Sequence, residues 1–579
     1  MDMNTIETVV HKAGFGRSAG MRDADPVTTE IMRNSLCSAA NQMKNTLCRI
    51  AFSPLIYETL DFAAAIYDED FCMLAQAPSL PLFMGSLTYC VKEASDAVGG
   101  PENMREGDVI IYNWPFGTGS HAQDVVLVAP AFLGKKLIGY TAAKAHWLDI
   151  AAKEPYCTDT TDVYQEGVIF PGIKLYEGGE VVQDVYNLVM ANTRMPNIIF
   201  GDMRAQATAV NIGARELQRV VKRFGYDTFR TSTQRIYDHG EALVRRYFAN
   251  LPDGRYLGEG CVDDDGLSDD KIPYQVIVEI DGDTVRVDYS HAPPATRGPI
   301  NCPVPSTISV ARVAISMLAG SGYAPNEGHF RPLEVITRPG TLFHPLPPAP
   351  SFLYGWPALQ SIDAIYNAIG KAQPEAVPAC SGCDIPNVYW WGYREKTGEP
   401  WAHGGGMPCG GGAHVHGDGT TMYHVSLAQS RVSPLELAET KFPLIYNKFE
   451  LAQDSCGAGK NRGACGIDIS YHVTEECFGT APIERQKTPP WGLQGGREAR
   501  PNSMTVYRPG ESAEKIGKAT GLKFPKGSVV DLSIAGGGGY GPPSERAVER
   551  VYADIADGYI SDEHAREYYP HSISDEQAA

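Results

Sequence analysis

From Asp25 to Ile50 the apolar positions Ile31, Leu36, Ala39, Ala40, Met43, Leu47 and Ile50 return every three or four residues, the stripe of one long amphipathic helix. After Pro54 the period shortens to two or gives way to short apolar runs. Phe62–Tyr67, Val109–Tyr112, Val125–Val128 and Leu137–Ala143 read as strands set apart by Gly and Pro clusters. Helical spacing resumes from about Gly201 to Phe224, with Val210, Leu217, Val220, Val221 and Phe224 on one stripe, and again from about Thr233 to Ala249. Strands return over Tyr256–Tyr289, where Asp281-Gly282-Asp283 between two apolar runs signals a hairpin. Helices are expected over Ser306–Leu318 and Ser361–Ala372, and the prolines between Pro339 and Pro357 mark a boundary or an extended connection. From Cys380 to Gly541 the chain is rich in Gly, His and short strands, and a last short helix is expected over Glu545–Ala556. The pattern predicts an α+β, multidomain chain. A mixed α/β region at 1–250 carries the candidate chemistry, an α/β middle region spans 251–380, and a strand-rich Gly/His-rich region spans 381–579.

A length of 579 residues exceeds one compact domain and allows a large core. Fifty basic against 69 acidic residues leave a net charge of −19, which argues against a chain that coats nucleic acid or an anionic membrane. Hydrophobic residues at 43% and charged residues at 21% exclude wholesale disorder. Sixty glycines and 41 prolines demand many loops and disfavour a helix bundle. The 13 cysteines form no dense framework, and reduced thiols suit so large a core better. Met1–Arg22 holds no apolar stretch of signal length and no 18-residue apolar run occurs, so a soluble, cytoplasmic protein is expected.

The strongest local candidate for chemistry is Gly117-Thr-Gly-Ser-His121-Ala-Gln-Asp124, followed by Ala145-His146-Trp-Leu-Asp149. His121 and Asp124 lie where a glycine-rich loop meets a strand, and His146 ends the next one. If those strands pair, two imidazoles and a carboxylate converge, a set that suits Zn²⁺, Mn²⁺ or Fe²⁺ with positions left open. Glu58 and Asp61, just before another strand, offer further carboxylate. The alternative is hydrogen-bonded loop histidines without a metal. A second cluster, His403, His414, His416 and His424 with Cys380, Cys383 and Cys409, reads better as solvated loop histidines and small apolar cysteines. Asp454-Ser-Cys-Gly-Ala-Gly459-Lys460-Asn461 lacks the first glycine and the Ser/Thr of a Walker A loop. Gly536-Gly-Gly538-Gly-Tyr-Gly541 fits GxGxxG, but Pro542-Pro543 follows at once, so a glycine turn is expected instead.

Several blocks occur in a familiar order: Tyr57-Glu-Thr-Leu-Asp-Phe62, Ala75-Gln-Ala-Pro78, Gly119-Ser-His121-Ala-Gln-Asp124, Lys144-Ala-His146, Gly201-Asp-Met-Arg-Ala-Gln206, Pro325-Asn-Glu-Gly328, Arg331-Pro332, Pro489-Pro-Trp-Gly492 and Gly536–Gly541. Together, over nearly the whole chain, they resemble the hydantoinase B/oxoprolinase family. The resemblance implies the B subunit of an ATP-dependent enzyme: a 5-oxoprolinase, N-methylhydantoinase or lactamase, or a ketone carboxylase of the acetone or acetophenone type. It implies one divalent metal (Zn, Mn or Fe) on His121, Asp124 and His146 with Glu58 or Asp61, the first three being the catalytic set. ATP would be bound by a hydantoinase A-type ATPase partner, in an (αβ)2 assembly, that phosphorylates the substrate oxygen. The length favours a cyclic amide hydrolase, while Tyr57-Glu-x-Leu-Asp-Phe resembles the carboxylases, and Pro81-Leu-Phe-Met-Gly85 lacks a histidine common at its centre. A non-catalytic scaffold is the third reading. Tyr57, Phe83 and Trp147 flank the expected ligands and are candidate pocket walls.

Overall fold

The strand Phe62–Tyr67 is buried along its whole length, because both faces of its sheet are covered. The computed structural model describes residues 7–16, 24–320, 324–382, 384–404, 409–421 and 430–573. The sheet has seven antiparallel strands in the order Met73–Gln76, Phe62–Tyr67, Lys136–His146, Asp124–Leu133, Val109–Tyr112, Pro171–Glu177, Glu180–Val181. Side chains alternate across it. Phe62, Ala64 and Ile66 enter one core with Met43, Leu47 and Val210, whereas Ala63, Ala65 and Tyr67 enter another with Leu87, Val91 and Ile308. Helices Pro26–Ile50 and Pro196–Phe224 cover the first face. Helix Pro81–Ala97, backed by Val304–Ala319, covers the second. Asp25 caps the first helix by accepting from the Thr28 N–H, at the boundary its pattern predicts.

The second core continues into a five-stranded sheet in the order Val9–Lys12, Leu333–Thr337, Thr284–Asp288, Ile272–Asp281, Gly254–Val262, against which helix Gly355–Ala372 packs. The expected hairpin closes with Asp281 opposite Thr284, and Gly282 sits at φ 57°, a left-handed position that suits glycine. Buried Arg312 pairs with Glu327, which also accepts from the Phe15 and Met73 N–H groups. This ties the Pro325–Gly328 block to the start of the chain. Beyond residue 385, a four-stranded and a five-stranded sheet contribute Val388, Trp390, Ile469, Tyr471 and Val530 to a third core.

The expected glycine turn at Gly536–Gly541 is instead an extended chain surrounded by other chains. The N–H groups of Gly537, Gly538, Gly539 and Gly541 donate to the carbonyls of Ala464, Cys380, Arg497 and Leu493, from three separate segments. A Cβ on Gly537 would lie 1.9 Å from the Gly411 carbonyl oxygen, and one on Gly538 would lie 2.0 Å from that of Trp491. Glycine is needed because backbones press in from every side. The Walker-like stretch belongs to the same bundle: the Gly457 N–H donates to Gly537, and Lys460 pairs with Glu545. Helix Pro81–Ala97 is not among the expected elements, and the helices over 196–224, 226–248 and 355–372 begin earlier than their stripes suggest. Among the described residues no helix is long and apolar enough to cross a membrane.

Candidate metal centre

Strands Asp124–Leu133 and Lys136–His146 form a hairpin whose register sets Asp124 opposite His146. His121 precedes Asp124 by less than a turn of chain, in a loop where Gly119 adopts φ 77° and passes so close to Ser306 that a Cβ would meet its nitrogen at 2.5 Å. His121 Nε2, Asp124 Oδ1 and His146 Nδ1 then stand at the corners of a nearly equilateral triangle with sides of 3.1, 3.0 and 3.1 Å. All three residues are buried. Among the described residues this is the one group of three or more His, Cys, Asp or Glu whose donor atoms all lie within 4.8 Å of one another.

The triangle is electrostatically incomplete by itself. His121 Nδ1 donates to the Phe352 carbonyl at 2.8 Å, which leaves Nε2 to face Asp124 and His146 with either a proton or a lone pair. Burial would raise the Asp124 carboxyl, but with protons on the ring nitrogens the attraction of His121 and hydrogen bonds from both imidazoles override it and hold the group well below the usual range. A carboxylate and lone-pair nitrogens 3 Å apart need a shared cation, either protons or a metal. Donors about 2.1 Å from one centre lie about 3.0 Å apart at right angles and about 3.4 Å apart in a tetrahedron. The observed sides match the first case, so these residues fit one face of a divalent cation's coordination shell.

The triangle lines a cavity of about 60 Å³, together with Asp61, Phe83, Tyr156, Tyr354, Tyr389 and Ser430 among others. The Tyr354 hydroxyl donates to the second Asp124 oxygen at 3.0 Å and so fixes which oxygen faces the histidines. Buried Glu166, pushed up to about 8 by burial, accepts from the Ser351 and Phe352 N–H groups and holds the carbonyl that orients His121. Tyr156 stacks flat on Tyr389 at 3.7 Å and bridges the N-terminal half to the roof of the cavity. Lys144 is wholly buried, with Nζ 3.2 Å from the Thr118 carbonyl oxygen and 4.6 Å from the centre of the Phe83 ring.

Neither expected additional carboxylate joins the triangle. Asp61 lines the cavity outside the three-donor group, its carboxyl pushed up to about 7 by burial against the pull of His146. Glu58 points elsewhere, to an ion pair with Lys441 at 2.9 Å. Of the three candidate walls only Phe83 lines the cavity. The Tyr57 hydroxyl accepts from Lys441, and buried Trp147 donates to Gln206. Gln206 in turn donates to the Val125 and Ala143 carbonyls, and Asp202 accepts from the Phe52 and Ser53 N–H groups. The Gly201–Gln206 block therefore braces the strands that carry the triangle. Tyr354, Phe352 and Tyr389 have no sequence signal, being more than 200 residues from His121. Lys144 has one: it sits two residues before His146 and so shares its strand face. The second histidine cluster does not assemble among the described residues. His403 stacks on Phe442 at 4.3 Å and the His414 and His416 rings lie 5.9 Å apart, while His424 and Cys383 fall outside the described residues.

Other proteins share this sequence and this shape. The chain is 29% identical to a putative D-/L-hydantoinase B subunit of Pseudomonas sp. (strain NS671), over 96% of this chain and 97% of that one. It superposes on the crystal structure of the ATP-dependent caprolactamase from Pseudomonas jessenii with a TM-score of 0.90 at 27% identity, covering 96% of this chain and 98% of that one. Nucleotide-free acetone carboxylase shares the fold, with a TM-score of 0.85 at 18% identity over 95% of this chain and 80% of that one. The Hydantoinase B/oxoprolinase sequence model matches residues 25–543, most of the chain. The chain belongs to the hydantoinase B/oxoprolinase family.

Proposed function

We propose that the chain is the metal-holding B subunit of an ATP-dependent cyclic amide hydrolase, acting on a carbonyl phosphorylated by a hydantoinase A-type ATPase partner in an (αβ)2 assembly. The observation that carries this reading is the buried triangle of His121, Asp124 and His146 at 3.0–3.1 Å on the wall of a small cavity. His121, Asp124 and His146 would hold one divalent cation, Zn, Mn or Fe, which supplies Lewis acidity and fixed positive charge to the reacting oxygen. The chain's own groups do the rest. The Phe352 carbonyl and the Tyr354 hydroxyl fix the ligand atoms, and the buried aromatic walls exclude bulk water. The Asp61 carboxylate stands in the cavity to take the proton from the attacking water.

The names of the two proteins that align end to end favour a hydrolase, and the 454–461 stretch, which enters the glycine bundle, is consistent with ATP binding by the partner in either reading. The Tyr57–Phe62 block favours a second reading, ATP-dependent ketone carboxylation with bicarbonate. One experiment separates them. The chain reconstituted with its partner ATPase, ATP and ¹³C-bicarbonate is offered 5-oxoproline, a hydantoin, a lactam and methyl ketones. Unlabelled ring-opened amino acid is the expected product, and label in a ketone-derived acid with no ring opened would overturn the proposal. A smaller effect tests the site itself. Tyr354→Phe removes the hydroxyl that pins Asp124, and metal affinity is expected to fall about 10–100-fold in chelator competition. Unchanged affinity would show that Asp124 needs no such support.

A further inference from the structure

Lys144 is wholly buried, yet the partners of its ammonium are neutral. Strand Lys136–His146 sets it on the same face as His146, two residues and about 6.6 Å away at roughly 3.3 Å per residue. Nζ donates to the Thr118 carbonyl at 3.2 Å and to the Ser86 hydroxyl at 3.3 Å, and it stands 4.6 Å from the centre of the Phe83 ring. A cation out of water is costly, and a carbonyl, a hydroxyl and a ring face compensate it less than a carboxylate would. For stability alone, an unbranched apolar side chain would serve the position better.

What the lysine gains is a junction. Thr118 ends the short turn Pro115–Thr118, and the chain then runs through Gly119 and Ser120 to His121. Ser86 and Phe83 lie on helix Pro81–Ala97, and Phe83 is a wall of the metal cavity. Lys144 itself shares a strand with His146. One side chain therefore ties the loop of one proposed ligand to the strand of another and to the helix that carries the wall. Ser86 has a further bond, donating to the Phe83 carbonyl at 3.1 Å, whereas the Thr118 carbonyl otherwise receives only the Cys90 thiol at 3.8 Å. Of the two anchors, the one on the loop of His121 depends more on the ammonium.

We infer that Lys144 is a positioning residue, which holds the His121 loop in register with the His146 strand at a cost to the stability of the fold. The inference rests on the metal reading of the triangle. Two opposed signs make it testable. A lysine acting by its charge repels a nearby divalent cation, so an apolar replacement would tighten metal binding. A lysine acting by geometry gives the reverse: the same replacement weakens binding while it relieves the buried charge. In the full chain, Lys144→Met is expected to bind Zn²⁺ and Mn²⁺ at least tenfold more weakly in chelator competition. Its urea midpoint, read without metal, is expected to stay level or rise. Amide exchange over 115–121 in the metal-free chain is expected to quicken at least tenfold. Unchanged or tighter metal binding would overturn the inference, as would unaltered exchange. A lower midpoint, or a variant that does not fold, would also overturn it and make Lys144 a residue of the core alone. The metal reading fails by a different result, the retention of metal by His121→Ala.

Discussion

His121→Ala is expected to purify without a divalent cation and, with the proposed partner ATPase, to turn over at least about a thousandfold more slowly than the parent chain. The magnitude follows from a Lewis acid worth several kcal/mol of transition-state stabilisation, with about 1.4 kcal/mol per tenfold in rate. Metal and activity should fall together, because the variant leaves Asp124 and His146 with only two of the three triangle corners. The fold should survive. His121 lies in a loop, and the strands carrying the other two donors are braced independently by Gln206. Elemental analysis and a urea midpoint are read on the same preparation. His416→Ala is the control, an exposed member of the second histidine cluster that should keep full metal and activity. Full metal content in His121→Ala would sink the site assignment, and loss of metal in His416→Ala would move it to the other cluster.

Gly537→Ala is expected to destabilise the chain by about 4 kcal/mol or more, enough to leave most of it insoluble. Overpacking alone costs about 1–3 kcal/mol, and each buried backbone hydrogen bond lost adds about 1–3 kcal/mol. Here the two costs cannot be traded against each other. The new Cβ would lie 1.9 Å from the Gly411 oxygen and 2.6 Å from the Gly412 nitrogen. Retreating from them pulls the Gly537 N–H off Ala464 and its carbonyl off Gly457, both bonded at 2.9 Å. Gly417→Ala is the matched control in the same glycine-rich half, where a Cβ meets nothing within 4 Å. Equal urea midpoints for Gly537→Ala and the parent chain would show that the bundle relaxes more easily than its hydrogen bonds allow.

The legible regions of the molecule are those with a periodic cause. The helix ending at Ile50, the hairpin at Gly282 and the strands that bring Asp124 opposite His146 all follow from spacing and turn chemistry. Helix Pro81–Ala97 has a helical stripe of its own in Phe83, Leu87, Cys90, Val91 and Ala94, but Gly85 interrupts it and Pro78 and Pro81 precede it, so the segment resembles a loop. The glycine bundle escapes a local reading for a different reason. A run of glycines signals a turn when only the neighbouring residues are considered, whereas here each missing Cβ makes room for a backbone distant in sequence. At the candidate site, residue types and strand pairing are enough for the triangle. They are not enough for Tyr354 and Phe352, whose roles depend on tertiary packing, or for Glu58, whose carboxylate is taken by Lys441.

The roof over the triangle also has a place in time. Ile385 and Tyr389 line the cavity, and Ile385 follows His146 by 239 residues. At roughly 5–20 residues per second, about 12–48 s of synthesis separate the last corner of the triangle from the first residue of its cover. During that interval the donors can meet bulk ions as an open bowl. Once Tyr389 stacks on Tyr156, 3.7 Å away, the way to the donors is narrower. The identity of a bound ion would then record which metal was abundant while the ribosome was still working, and not only which one binds best at equilibrium.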